Sequence, residues 1–162
     1  MSESTAESSV TVRAVMRTPA PLVDVSASVG EVARLMAEQR VSGVGVLEDG
    51  VLVGIVTEED LIERIAEPDF PTLVPFFDAV FVADAGTPFE EDLAKILATT
   101  AGELMTSPVF SLRDTATLSE VATFFVDRKF RQAPVVDAAN AIVGIVSRGD
   151  LVPVIARLEA EP

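Results

Sequence analysis

Gly54-Ile55-Val56-Thr57-Glu58-Glu59-Asp60 and Gly144-Ile145-Val146-Ser147-Arg148-Gly149-Asp150 share one pattern: a glycine, two β-branched residues, a hydroxyl residue and, three positions on, an aspartate. The likeness extends on both sides. Met105-Thr106-Ser107-Pro108 stands 89 positions after Met16-Arg17-Thr18-Pro19. At the same offset Val32-Ala33-Arg34-Leu35 falls on Val121-Ala122-Thr123-Phe124, and Val46-Leu47-Glu48 on Val135-Val136-Asp137. The two heptads are 90 positions apart. The one-residue slip falls between two apolar runs, where a hairpin turn absorbs an insertion. Segments that agree in this order define an internal repeat.

Each repeat reads as β-α-β-β-α. In the first, Leu22-Val23-Asp24-Val25 is a short strand, and Ser28 precedes Val29, Val32, Leu35 and Met36 at helical spacing behind an N-cap residue. Gly43 to Leu47 is an apolar run, Asp49-Gly50 a two-residue hairpin signal, and Val51 to Val56 the returning strand. Thr57 then opens a helix containing Leu61 and Ile62. The second repeat runs Val109 to Leu112, Leu118 to Asp127, Ala133 to Val136, Ala141 to Val146 and a last helix from Ser147. One unit of roughly sixty residues is too small to bury both faces of its sheet, so the two are expected to pack on each other.

The expected fold is therefore α/β: two βαββα repeats, 11–65 and 100–162, about a pseudo-two-fold axis. Residues 1–10, rich in Ser, Glu and Thr, read as a disordered tail, and 66–99 as a helical insertion. In the insertion Thr87-Pro88-Phe89-Glu90 has the form of a helix start. Val74 to Val82 carries three phenylalanines, which marks the segment as packed: a cover on the core, a dimer contact or a ligand lid.

Composition narrows the chemistry. The 162 residues are 49% hydrophobic, enough for a packed core. There is no cysteine and no histidine. Disulfides, thiolate sites, imidazole bases and serine–histidine triads are excluded. No metal site is expected, because an oxygen-ligated Mg²⁺ usually arrives with a phosphate ligand. A net charge of −14, from 26 acidic and 12 basic residues, repels nucleic acid and anionic lipid. No apolar run reaches the ~18 residues of a spanning helix. The start of the chain lacks the basic and apolar regions of a secretory signal, so a cytoplasmic location is expected.

The duplicated heptads, the Arg40-Val41-Ser42-Gly43 stretch and the Met-x-x-Pro entries at Met16 and Met105 resemble a tandem CBS-domain pair, also called a Bateman module. The resemblance covers about 11–65 and 100–155. It implies regulatory binding of an adenosine-containing ligand between the repeats: AMP, ADP or ATP, with S-adenosylmethionine or a cyclic dinucleotide as further members of the class. No cofactor beyond that ligand and no catalysis are implied. It also implies a homodimer, formed through the helices of both repeats, and an unidentified regulated protein as partner.

Physical chemistry supports the motif. A strand that ends in a hydroxyl residue and starts a helix presents free N–H groups and a positive dipole end, which suits phosphate. An aspartate three residues later accepts hydrogen bonds from two vicinal ribose hydroxyls. The same Thr/Ser-x-x-Asp spacing is also a capping box, so capping and binding both remain open. By resemblance, Asp60 with Thr57 and Asp150 with Ser147 hold ribose and phosphate, each pocket being completed by the other repeat. The Asp150 site then takes Val41, Ser42 and Gly43, with Pro21 and Val23 as wall. The Asp60 site takes Phe130, Arg131 and Gln132, with Phe110 as wall.

Charge ranks the two. Ser147 is followed by Arg148-Gly149, a phosphate partner and an open approach. Thr57 is followed by Glu58-Glu59, which oppose an anion. Gly43 lets a base come close, whereas Gln132 in the matching place is bulkier. The Asp150 site is expected to be the stronger. A scaffolding dimerisation module with vestigial sites is the alternative, and a Mg²⁺-dependent nucleotide hydrolase a more remote one.

Overall fold

The computed structural model describes residues 10–66, 72–76, 79–83 and 94–160. After a 3₁₀ turn at Val12–Ala14 come β1 (Leu22–Asp24), α1 (Val29–Gln39), β2 (Gly43–Glu48), β3 (Val51–Thr57) and α2 (Glu58–Glu63). Then follow β4 (Thr72–Phe76), β5 (Ala79–Ala83), α3 (Ala101–Leu104), β6 (Leu112–Arg113), α4 (Leu118–Arg128), β7 (Gln132–Val136), β8 (Ile142–Ser147) and α5 (Arg148–Leu158). The two βαββα units are present as expected.

Local chemistry sets these boundaries. Ser28 and Glu31 form a reciprocal capping box at α1: the Ser28 N–H donates to the Glu31 carboxylate at 2.7 Å, and the Glu31 N–H to Ser28 Oγ at 3.2 Å. Thr117 and Glu120 do the same for α4, and Thr100 and Glu103 for α3. Arg40 and Lys129, 89 positions apart, end α1 and α4 in left-handed conformations, with φ of 54° and 57°. Asp49 and Gly50 both have positive φ, the backbone a tight two-residue hairpin requires.

Each repeat forms a three-stranded sheet, β1-β2-β3 and β6-β7-β8, with a parallel first pair and an antiparallel second pair. The registers Gly43↔Thr57 and Gln132↔Ser147 place the start of each central strand beside the hydroxyl of its own motif. Two expectations are corrected. The opening strand of the second repeat is confined to Leu112–Arg113; residues 109–111, just after Pro108, lie outside it. The insertion is not simply helical: Thr72–Phe76 and Ala79–Ala83 pair as antiparallel strands, as their content of Val, Phe and Thr favours. Only 94–97 is helical among its described residues. The expected helix start at Thr87 and nearly all of the 1–10 tail lie outside the described residues.

The repeats are tied by an exchange of their leading segments. Arg17 bridges to Ile145 in β8, and Thr106 to Ile55 in β3. The Val12 N–H donates to the Ala116 carbonyl at 2.8 Å, and the Ala101 N–H to that of Ala27 at 2.8 Å. The Leu118 N–H donates to the Val10 carbonyl, and the Val29 N–H to that of Thr99. All three pairs of contacts are reciprocal at the repeat offset, which is the signature of a pseudo-two-fold axis. The cores follow. Val12 packs among Val121, Phe125, Val135, Val146 and Leu151, whereas Ala98, Ala101 and Leu104 pack among Val32, Met36, Val44 and Val56. Arg13 adds an ion pair to buried Asp114 of the second repeat.

The motif glycines explain why the Met-x-x-Pro entries accompany them. A Cβ on Gly144 would meet Met16 Sδ at 2.7 Å and the Arg17 carbonyl oxygen at 2.9 Å; a Cβ on Gly54 would collide with the Met105 side chain. Each glycine is thus the seat of the other repeat's leading methionine. Because the Arg17 carbonyl also accepts the Ile145 N–H at 3.1 Å, it has little room to retreat. Gly144→Ala is expected to lower unfolding free energy in denaturant titration by about 1–3 kcal/mol, the range for overpacking. An unchanged midpoint would refute the seat.

The caps also predict an acid response. Hydrogen bonds from the backbone and hydroxyls of their N-cap regions hold Glu31, Glu103 and Glu120 below the ordinary glutamate value. Their stabilising contribution is present above the unfolded pKa of 4.5 and lost as pH falls through the lowered folded values. The melting temperature is expected to drop below about pH 4.5, and Glu31→Gln/Glu120→Gln is expected to flatten that drop.

Candidate functional site

β3 delivers Thr57 in extended conformation, and α2 begins at the next residue; β8 and α5 treat Ser147 alike. In both copies one oxygen of the motif aspartate caps the helix. Asp60 Oδ2 accepts the Thr57 N–H at 2.7 Å and its hydroxyl at 3.0 Å. Asp150 Oδ2 accepts the Ser147 N–H at 2.7 Å and its hydroxyl at 2.8 Å. Capping therefore engages Oδ2 alone in each carboxylate and does not itself exclude a ligand.

The first site forms a cavity of about 190 Å³. Thr57, Asp60, Phe130, Arg131 and Gln132, expected together, all line it. Phe110 stands next door, in a smaller recess that shares Ile55, Thr106, Phe130 and Gln132 with the cavity. Its ring stacks on Phe130 with centroids 5.7 Å apart, and the Arg128 guanidinium lies 4.6 Å above it.

The second site is divided between two walls. Ser147 and Asp150, both half-buried, start α5. Pro21 is buried, and its carbonyl accepts the Gly45 N–H; Val23 pairs with Val46 in the parallel ladder. Val41, Ser42 and Gly43 connect α1 to β2, with the Val41 N–H on the Met36 carbonyl. The walls meet through Gln132 and Arg17. Gln132, beside Ser147 in the ladder, donates from Nε2 to the Ser42 carbonyl at 2.6 Å. Arg17, bridged to Ile145, reaches the Gln39 carbonyl at 3.3 Å. The opening expected at Gly43 holds the Gln132 amide, which a Cβ there would strike. The Arg148 guanidinium, expected as a phosphate partner, is engaged by backbone: Nε donates to the Phe130 carbonyl at 2.6 Å and Nη2 to that of Phe125 at 2.7 Å.

Sequence reasoning missed Lys95. Its ammonium bonds Asp60 Oδ1 at 2.9 Å and Glu63 at 2.6 Å. Burial pulls its pKa down, but the hydrogen bonds and charges of Glu63 and Asp60 outweigh burial and raise it above the ordinary lysine value. It lies in the insertion, where no repeat counterpart points to it. Thr106 and Lys129 also line the first cavity and were missed. Thr106 directly follows Met105 of the exchanged segment, and Lys129 precedes Phe130 as Arg40 precedes Val41, so the repeat alignment carried a signal for both.

The sequence profile of the CBS domain matches residues 12–67 and 101–157. The chain belongs to the CBS domain family and carries a tandem pair. It is 30% identical over 145 residues to the chloroplastic CBS domain-containing protein CBSX2 of Arabidopsis thaliana, covering 86% of this chain and 60% of that protein. It is 32% identical over 130 residues to the uncharacterized protein MJ1426 of Methanocaldococcus jannaschii, covering 75% and 77%. The crystal structure of CBSX2 in complex with AMP superposes with a TM-score of 0.70 at 31% identity, covering 92% of this chain and 98% of that one. The chain thus spans 60% of the full length of CBSX2.

The buried Gln132 amide is the central tie between the walls. Gln132→Ala removes a hydrogen bond and leaves a void, and is expected to cost about 1–3 kcal/mol in denaturant unfolding. A loss under about 0.5 kcal/mol, the scale of a surface change, would contradict that role.

Proposed function

We propose that the chain is a non-catalytic regulatory module that binds an adenosine-containing nucleotide between its repeats, chiefly at Ser147 and Asp150. One observation carries the ranking. Asp150 Oδ1 has no partner among the described residues, whereas both oxygens of Asp60 are engaged. A half-buried carboxylate with a free oxygen at a helix start, directly after Gly149, suits a ribose diol with phosphate towards Ser147. That CBSX2 takes AMP supports this class of ligand here. ADP, ATP, S-adenosylmethionine and a cyclic dinucleotide share the adenosine part. Val41 and Ser42 then border the base, with Pro21 and Val23 behind it, and at Gly43 the base meets the Gln132 amide rather than open space.

Arg148 enters by exchange. Phosphate near Ser147 competes with the Phe125 and Phe130 carbonyls for the guanidinium. A charged acceptor outbids neutral ones. Such a shift frees the Phe130 carbonyl, while the Arg148 N–H keeps its bond to the Arg131 carbonyl.

Calorimetric titration tests the reading. AMP, ADP or ATP is expected to bind with micromolar affinity. Asp150→Ala is expected to weaken binding by about 10- to 100-fold, the loss of a charged hydrogen-bond partner. Asp60→Ala is expected to matter less. No heat from any adenosine ligand would leave a scaffolding module as the reading.

Signal transfer runs through a second copy of the chain, to a regulated partner. Val126, Val152 and Ile155 on α4 and α5 are 73%, 61% and 53% exposed, beside an apolar groove floored by Leu118, Leu151 and Val154. Light scattering at low micromolar concentration is expected to give about twice the 17.1 kDa chain mass. A mass of one chain would contradict pairing.

A further inference from the structure

Lys95 stands where a ribose would. Asp60 Oδ2 is fixed by Thr57, so the oxygen left to meet a sugar diol is Oδ1, and the Lys95 ammonium holds that oxygen at 2.9 Å. Glu63, one turn further along α2, holds the same ammonium from the side away from the helix start. The lysine therefore blocks the sugar position and leaves the Thr57 end uncovered.

The contact is built. Arg64, directly after α2, donates from Nη1 to the Lys95 carbonyl at 2.7 Å and to the Ala98 carbonyl at 2.6 Å. The backbone that carries Lys95 is thus clamped to the helix whose aspartate it covers. Ala98 is itself core, 3% exposed. The consequence shows in the carboxylates: Asp60 is 3% exposed, while its counterpart Asp150 stays half-open. The remaining space, about 190 Å³, is below the ~300 Å³ at which small-molecule sites usually begin. Burial opposes the ammonium's charge, but hydrogen bonds and charge from Glu63 and Asp60 outweigh it and hold its pKa above the ordinary lysine value.

Among the described residues no cation meets Asp150. The repeat offset that maps the segment after Lys95 onto the start of the chain maps Lys95 itself onto Ala6, which brings no charge and lies outside the described residues.

We infer that Lys95 is an internal occupant of the first site, a specificity-determining residue that closes Asp60 to the ribose of a nucleotide and leaves the chain with one open site out of two. The inference rests on the proposed adenosine binding. Stoichiometry separates the two. In calorimetry with AMP, the wild-type chain is expected to take one equivalent per chain and Lys95→Ala two. The new equivalent is expected at least about tenfold tighter than any residual binding at that site in the wild type, the scale of a displaced charge-assisted hydrogen bond. Lys95→Met, which keeps the apolar stem, is titrated in parallel, so that a folding defect of the alanine variant does not decide the result. Asp60→Asn in the Lys95→Ala background is expected to return the count to one. One equivalent in wild type and both Lys95 variants overturns the role of Lys95 alone. Two in the wild type does the same. Weaker AMP binding in the Lys95 variants, with no gain in count, would make Lys95 a phosphate contact and also overturn it. No binding by any of the proteins overturns this inference and the proposed function together.

Discussion

The seating of Met16 on Gly144 and of Met105 on Gly54 is the contact on which the rest of the architecture depends. Three strands and two helices make too small a unit to cover both faces of a sheet. Here each repeat gives its leading segment to the other, and a bare glycine on the receiving strand leaves room for the methionine. The exchange buries Val12 in one core and Leu104 in the other, so neither core is complete within its own repeat. It also fixes where the motif hydroxyls point. Strands β3 and β8 are bridged at Ile55 and Ile145, two residues before Thr57 and Ser147, by the partner repeat. Both candidate pockets are therefore walled by two repeats.

A symmetric frame then carries unsymmetric chemistry. At the axis, Gly43 and Gln132 hold matching places, and the amide of one fills the vacancy of the other. At the helix starts, Glu58-Glu59 oppose Arg148-Gly149. Over the aspartates, Lys95 covers Asp60 alone. Each difference is one or two side chains wide: the acidic pair and Lys95 bear on the first site, whereas the Gln132 amide fills the opening at Gly43 of the second. Lys95 supplies charge that an incoming phosphate would welcome, but it supplies it at the sugar position.

Much of the fold was legible because the repeat supplied two readings of each element. The capping boxes at Ser28 and Thr117, the Asp49-Gly50 turn and the strand pairs all follow local rules that a sequence displays. The pairing of Thr57 and Asp60 with Phe130, Arg131 and Gln132 was legible for the same reason, together with the family resemblance. Three features were not. The strands at Thr72–Phe76 and Ala79–Ala83 occur once, and a helix start at Thr87-Pro88 drew the reading towards helix. Lys95 acts across 35 residues of chain through an insertion without a counterpart. Arg148 has the right charge in the right place by sequence, yet nearby carbonyls at the end of α4 hold its guanidinium. Long-range ion pairs and competition for a single cation leave no periodic trace.

The central claim is that an adenosine nucleotide enters between the repeats at the second motif and not at the first. Backbone amide NMR during an AMP titration tests this most directly, because both motifs report in one experiment. The account predicts that the amides of Ser147 to Asp150 and of Val41 to Gly43 move first and saturate together, while those of Thr57 to Asp60 stay in place until that site is full. Simultaneous saturation at both motifs, or movement confined to Thr57 to Asp60, would contradict it.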